Sequence, residues 1–142
     1  MTARTQPGAS RDGRGLGIDL ALLLLRVALA AAFGAHGYLK WAGGLGRLVG
    51  LMMTVHLPFP DFLARVSATL ELGGAVLLLL GLWTRLVGAL LAVEMAVAIV
   101  KVVWPLGFIG GFELELTLLT VALALALAGG GRLSVGRGRL SR

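Results

Sequence analysis

The chain has 142 residues, enough for one domain, with 58% hydrophobic and 14% charged residues, a net charge of +6 and a mean hydropathy of +0.93. That balance excludes an ordinary water-soluble globule and makes the lipid bilayer the expected solvent. No cysteine is present, so disulfide scaffolds, thiol catalysis, thiolate-held metals and iron–sulfur clusters drop out as well.

Residues 1–15 form a basic tail, with Arg4, Arg11 and Arg14 against Asp12, and residues 132–142 form a second one carrying Arg132, Arg137, Arg139 and Arg142. Six basic residues balance six acids in the 16–131 body between them. Under the positive-inside rule both tails are expected in the cytoplasm, which requires an even number of crossings. Neither tail interleaves aromatics with its arginines. The pI near 11.4 therefore reads as topology and attraction to anionic lipid, with no nucleic-acid partner expected.

A span needs about 20 mainly apolar residues, and four stretches qualify or nearly do. The first covers about 18–41. Its leucine run and alanine-rich end also fit a cleaved leader, but Arg26 interrupts the run, and cleavage would leave three spans with a basic tail outside. At 100° per residue, Arg26, His36 and Lys40 share one face of this helix. Residues 42–61 are too short to cross, yet Leu45, Leu48, Val49, Met52 and Met53 recur at helical spacing. They predict a short interfacial helix, or a lid on the bundle, stopped by Leu57-Pro58-Phe59-Pro60, with Asp61 as N-cap of the next helix.

The second span covers about 62–83 and places Ser67, Glu71 and Gly74 on one stripe. A turn at Thr84-Arg85 makes the third span, about 86–104, its antiparallel neighbour and puts Arg85 on the side of the tails. Glu94 and Lys101, seven apart, share a face. The connection 105–111 is uncharged and suits the outer side. On the fourth span, about 112–129, Glu113 lines up with Thr117 and Thr120, whereas Glu115 points nearly opposite. Trp41, Trp83 and Trp104 fall at span ends, where indole rings favour the headgroup layer. Small residues at four-residue spacing, Ala30 and Gly34 or Gly88, Ala92 and Ala96, predict close helix packing. The expected fold is an all-α four-helix transmembrane bundle with a short interfacial helix between helices 1 and 2.

A charge at mid-bilayer costs about 2.5 to 3.5 kcal/mol on insertion scales, so each needs a partner or a wet cavity. The economical arrangement turns the polar faces inward. It pairs Arg26 with Glu94 as a structural ion pair and gathers His36, Lys40, Glu71, Lys101 and Glu113 in a charged pocket in the outer half. The bland reading of the same residues is an ion-pair network that only fixes helix register. A two-histidine haem is not expected, because His56 sits beside Pro58 away from the facing helices. No metal is expected either, since Lys40 and Lys101 would oppose a divalent cation.

Taken together, Arg26, His36-Gly37-Tyr38-Leu39-Lys40, Leu70-Glu71-Leu72-Gly73-Gly74, Leu80-Gly81-Leu82-Trp83-Thr84-Arg85, Gly110-Gly111-Phe112-Glu113 and Gly131-Arg132-Leu133-Ser134 carry a resemblance. In order and spacing, from about residue 20 to residue 134, they resemble the DoxX family of small bacterial and archaeal membrane proteins. The resemblance implies four transmembrane helices in the cell (inner) membrane and a loose tie to redox chemistry, with relatives that include a subunit of thiosulfate:quinone oxidoreductase. This chain departs from the pattern by carrying Lys101 where a histidine is expected and by adding Glu94 and Glu115.

The leading expectation is a quinone-linked oxidoreductase subunit. His36, Lys40 and Lys101 would bind substrate, and His36, Glu71 and Glu113 would handle protons as catalytic groups. Electrons would come from a bound flavin, a redox partner subunit or the substrate. Two rivals use the same residues: a non-enzymatic scaffold or assembly subunit, and a small-solute or anion carrier. Whether the chain forms a homo-oligomer is left open.

Overall fold

In a computed structural model that describes residues 9–136, with side chains described from residue 15, the chain is helical and the described residues contain no strand. Five α-helices follow one another: α1 (Ala9–Ala42), α2 (Gly46–Thr54), α3 (Pro60–Leu80), α4 (Thr84–Ala98) and α5 (Glu113–Ala128). Arg4, Arg137, Arg139 and Arg142 of the two tails lie outside the described residues. Helix α1 already begins at Ala9, inside the stretch read as tail.

Four segments are long and apolar enough to cross a bilayer: Gly15–Ala42, Pro60–Leu80, Thr84–Leu106 and Phe108–Ala128. The short α2 fills the predicted place between the first two. Helix α1 packs mainly on α3 and α4 on α5, with lighter α3–α4 and α1–α5 contacts, so the spans form a square with α1 and α4, and α3 and α5, on its diagonals. Leu29, Ala30 and Phe33 of α1, Ala75 and Leu78 of α3, Leu91 and Ala92 of α4, and Ala122 and Leu125 of α5 form one core. Large apolar side chains such as Leu24, Val76, Val93 and Leu127 stay exposed, which suits a surface solvated by lipid.

Small residues set the helix separations. A Cβ added to Gly37 would come 2.7 Å from the Leu72 backbone nitrogen, and one added to Gly88 would come 2.8 Å from the Ala122 carbonyl oxygen. Helix backbones touch at both places, as small-residue stripes in lipid allow.

Arg26 does not pair with Glu94. It is 1% exposed, and its guanidinium donates to four backbone carbonyls: Nε to Leu78 (2.8 Å), Nη2 to Leu79 (2.9 Å), and Nη1 to Gly130 (2.9 Å) and Leu133 (3.2 Å). The last carbonyls of a helix lack intrahelical partners and carry the negative end of its dipole, so the C-terminus of α3 is a ready acceptor for a cation. Gly81, left-handed at φ 70° as the C-cap of α3, lies so close that an added Cβ would meet Arg26 Nη2 at 2.7 Å. The segment after α5 closes over the same end, where the Val135 amide donates to Leu80 O (3.0 Å) and the Arg132 amide to Asp19 Oδ1 (2.8 Å). Both ends of the described chain thus meet at one end of the bundle.

Two turn assignments change. The link between α3 and α4 is Gly81–Trp83, with Thr84 and Arg85 already in the first turn of α4. Asp61 does not cap α3; Phe59 occupies the N-cap in a left-handed conformation (φ 49°), and Pro60 supplies the preset φ of the first helical residue. Beyond Ala98, α4 continues through a widened turn at Ile99–Val103 and a tight one at Trp104–Leu106. The uncharged connection to α5 is braced by Trp104 stacked on Phe112 (5.2 Å between centroids) and Phe108 edge-on to Phe112 (5.5 Å).

Candidate functional site

Lys40 lies in the last turn of α1, and Ser67 and Glu71 are one helical turn apart on α3, so both α3 side chains reach the same neighbour. Glu94 approaches from α4. Lys40 Nζ stands 2.8 Å from Glu71 Oε2 and 3.6 Å from Glu94 Oε1, and it donates to Ser67 Oγ at 2.9 Å. The Ser67 hydroxyl in turn donates to Glu94 Oε1 at 2.5 Å. One ammonium thus serves two carboxylates, directly and through a hydroxyl. Glu71 is 3% exposed and Lys40 24%, which keeps the group largely shielded while leaving the lysine open on one side.

The cluster faces a cavity of about 580 Å³, within the ordinary range for a small-molecule site. Phe33, Leu70, Leu90 and Met95 contribute apolar walls, and Leu48, Leu51 and Met52 of α2 with Leu57 and Pro58 after it also line the cavity. His36, one turn before Lys40, lines it too, as do Glu94 and Glu115. The Oε2 atoms of Glu94 and Glu115 are buried without a hydrogen-bond partner. Such a site can hold an apolar ring, offer donors and acceptors to its oxygen atoms, and pass a proton along Lys40, Ser67 and Glu94.

The sequence-predicted residues divide between two places. Lys40 and Glu71 meet as an ion pair and His36, though exposed, lines their cavity, whereas Lys101 and Glu113, exposed as well, are not among its lining residues. Lys101 sits in the widened turn, where the extra residue per turn shifts the helical phase away from that of Glu94. Glu113 stays local: its Oε1 accepts the Gly110 amide at 3.3 Å, in the first turn of α5. Thr117 and Thr120, which argued for Glu113 facing inward, point outward and donate to the Glu113 and Leu116 carbonyls one turn back (2.8 Å each). The inward stripe of α5 is Glu115, Leu118, Ala122 and Leu125. Glu94, expected beside Arg26, belongs to the Lys40 cluster. Ser67, noted only as a stripe residue, is the link between them.

The sequence profile of the DoxX family matches residues 21–104, which take in α1 from residue 21 onward and the whole of α2, α3 and α4. The chain belongs to the DoxX family. It is 37% identical over 101 residues to "Putative oxidoreductase CatD" of Bacillus subtilis (strain 168), an alignment covering 71% of this chain and 73% of that relative. No solved structure matches it. The matched region contains Lys40, Ser67, Glu71 and Glu94, whereas Glu115 lies beyond it.

Proposed function

We propose that this DoxX chain is the quinone-binding subunit of a membrane oxidoreductase, with the quinone ring held in the cavity among α1, α3, α4 and α5. The observation that carries the reading is a cation, a hydroxyl and two carboxylates presented together on a mainly apolar cavity. Quinone reduction adds two electrons and two protons, so a site for it needs an apolar bed and proton-exchanging groups at the ring oxygens. Lys40 and His36 contact one ring oxygen in this reading, while Glu71 and Glu94 exchange protons with it through Lys40 and Ser67. The name of the Bacillus relative, "Putative oxidoreductase CatD", agrees with redox work, and the electrons come from a partner subunit or a second substrate. Both termini lie in the cytoplasm, which sets the cluster in the outer half of the cell membrane.

Purification in mild detergent followed by solvent extraction tests this directly. Quinone recovered in near-stoichiometric amount, or saturable binding of decylubiquinone by the protein in lipid nanodiscs, supports the reading. A preparation that holds no quinone, fails to bind added decylubiquinone and instead co-purifies a protein partner overturns it in favour of a scaffold.

A further inference from the structure

The Lys40 cluster draws its side chains from α1, α3 and α4. Glu115 stands on α5, which shares almost no packing with α3 because the two helices occupy opposite corners of the bundle. It reaches the same cavity among Leu114, Leu118, Val102 and Val103, and its Oε2 is buried with no partner. Leaving a shielded polar atom unbonded costs about 1 to 3 kcal/mol, and hydrocarbon on the far side of the helix supplies no compensation. Every one of the four spans therefore brings an ionisable group to this space: His36 and Lys40 from α1, Glu71 from α3, Glu94 from α4 and Glu115 from α5. Of these three carboxylates, Glu115 alone stands apart from the ion-paired set among the described residues.

We infer that Glu115 is a second ligand-contacting carboxyl, carried on the helix diagonally opposite α3, which bears Ser67 and Glu71 of the cluster, so that the site takes a ring bearing an oxygen function at each end rather than a single-headed ligand. The inference rests on the quinone reading and sharpens it, because the para-dioxygenated ring of a quinone or quinol is the ligand class with that shape. A carboxyl group suits both forms. As an acid it donates to a quinone carbonyl, and as a carboxylate it accepts from a quinol hydroxyl. Glutamine keeps a donor and an acceptor at the same reach, whereas leucine keeps only the volume.

The test measures equilibrium binding to the full chain in nanodiscs, comparing decylubiquinone with a cyclohexenone carrying the same decyl tail and a single carbonyl. Glu115→Leu should weaken decylubiquinone about tenfold and leave the cyclohexenone unchanged, while Glu115→Gln stays within about threefold of the parent for both. Glu113→Leu, the same charge loss on the outside of α5, should alter neither. Infrared spectra of decylubiquinone on the unsubstituted protein give a reading that needs no variant: both carbonyl stretches should shift to lower frequency. One unshifted carbonyl, or equal losses for the two ligands in Glu115→Leu, overturns the role of Glu115 and leaves the quinone reading standing. A parent protein that binds no decylubiquinone removes both.

Discussion

Two cations, buried Arg26 and half-buried Lys40, mark the two ends of this bundle, and they are satisfied in opposite ways. Arg26 spends its guanidinium on four main-chain carbonyls from two segments, with Gly81 pressed against it. Lys40 is held by side chains alone, beside a cavity of about 580 Å³ and next to carboxylate oxygens that have no partner. Backbone acceptors cannot move or exchange protons, so the first arrangement is architecture. Side-chain acceptors can do both, and only the second has chemistry to offer.

The sharpest way to break that contrast is to remove each cation. Arg26→Met removes a buried side chain that donates to four carbonyls and should cost about 3 to 5 kcal/mol, read as a lowered midpoint of unfolding in mixed micelles. Arg26→Lys should recover only part of the loss, because a point ammonium cannot fork to carbonyls on separate segments. Protein that remains folded should bind decylubiquinone as the parent does. A large loss of binding with unchanged stability would show that the two ends had been assigned the wrong way round.

Helix separation beside the cluster comes next. Gly37→Ala forces a methyl group to within 2.7 Å of the Leu72 nitrogen and 3.1 Å of Glu71 Cβ, wedging α1 from α3 next to the Lys40–Glu71 pair. A loss of about 1 to 3 kcal/mol is expected, with weakened ligand binding alongside it. Gly73→Ala is the matched control, since nothing lies within 4 Å of its added Cβ; it should be neutral or stabilising by up to about 1 kcal/mol.

These two ends also differ in how far they could be read from the sequence. Span number, the short helix after the first span and the small-residue contacts follow from local hydrophobic length and spacing, and all appear in the fold. The meeting of Lys40 with Glu71 was legible because each must face inward from a lipid-solvated helix. The partner of Arg26 was not, since a tally of side-chain charges omits the carbonyls at helix ends, which here outnumber every carboxylate in reach. On α5 the threonines misled: a hydroxyl bonded to the carbonyl one turn back needs no interior place, so Thr117 and Thr120 say nothing about which face is buried. The apolar positions Leu118, Ala122 and Leu125 would have pointed to Glu115 instead. Lys101 was lost to the widened turn, which no hydrophobic spacing announces.

Lys40→Met tests the other end. It leaves Glu71 and Glu94 without their shared cation, and decylubiquinone binding should fall by about tenfold or more while stability drops by roughly 1 to 3 kcal/mol. Adding Glu71→Leu to Lys40→Met should restore much of the stability and none of the binding, giving a coupling of about 0.5 to 3 kcal/mol in a double-mutant cycle. A cluster that served only to fix helix register would show the stability coupling alone, with ligand binding untouched in every variant.

The smallest effects are expected where the structure removes residues from the site. Lys101→Ala changes an exposed side chain with no hydrogen bond or ion pair among the described residues, and it should shift stability by no more than about 0.5 kcal/mol. Glu113→Gln weakens a bond to the Gly110 amide and a favourable charge in the first turn of α5, worth about 0.3 to 1 kcal/mol. Neither should change decylubiquinone affinity measurably, whereas Glu71→Gln, which removes the closest charge partner of Lys40, should. The comparison between Glu71→Gln and Glu113→Gln is the stricter one, because both make the same chemical change to a glutamate in a membrane helix. If the two variants lose affinity equally, proximity to the cavity is not what selects the functional carboxylates, and a long-range electrostatic account would have to replace the one built on contact.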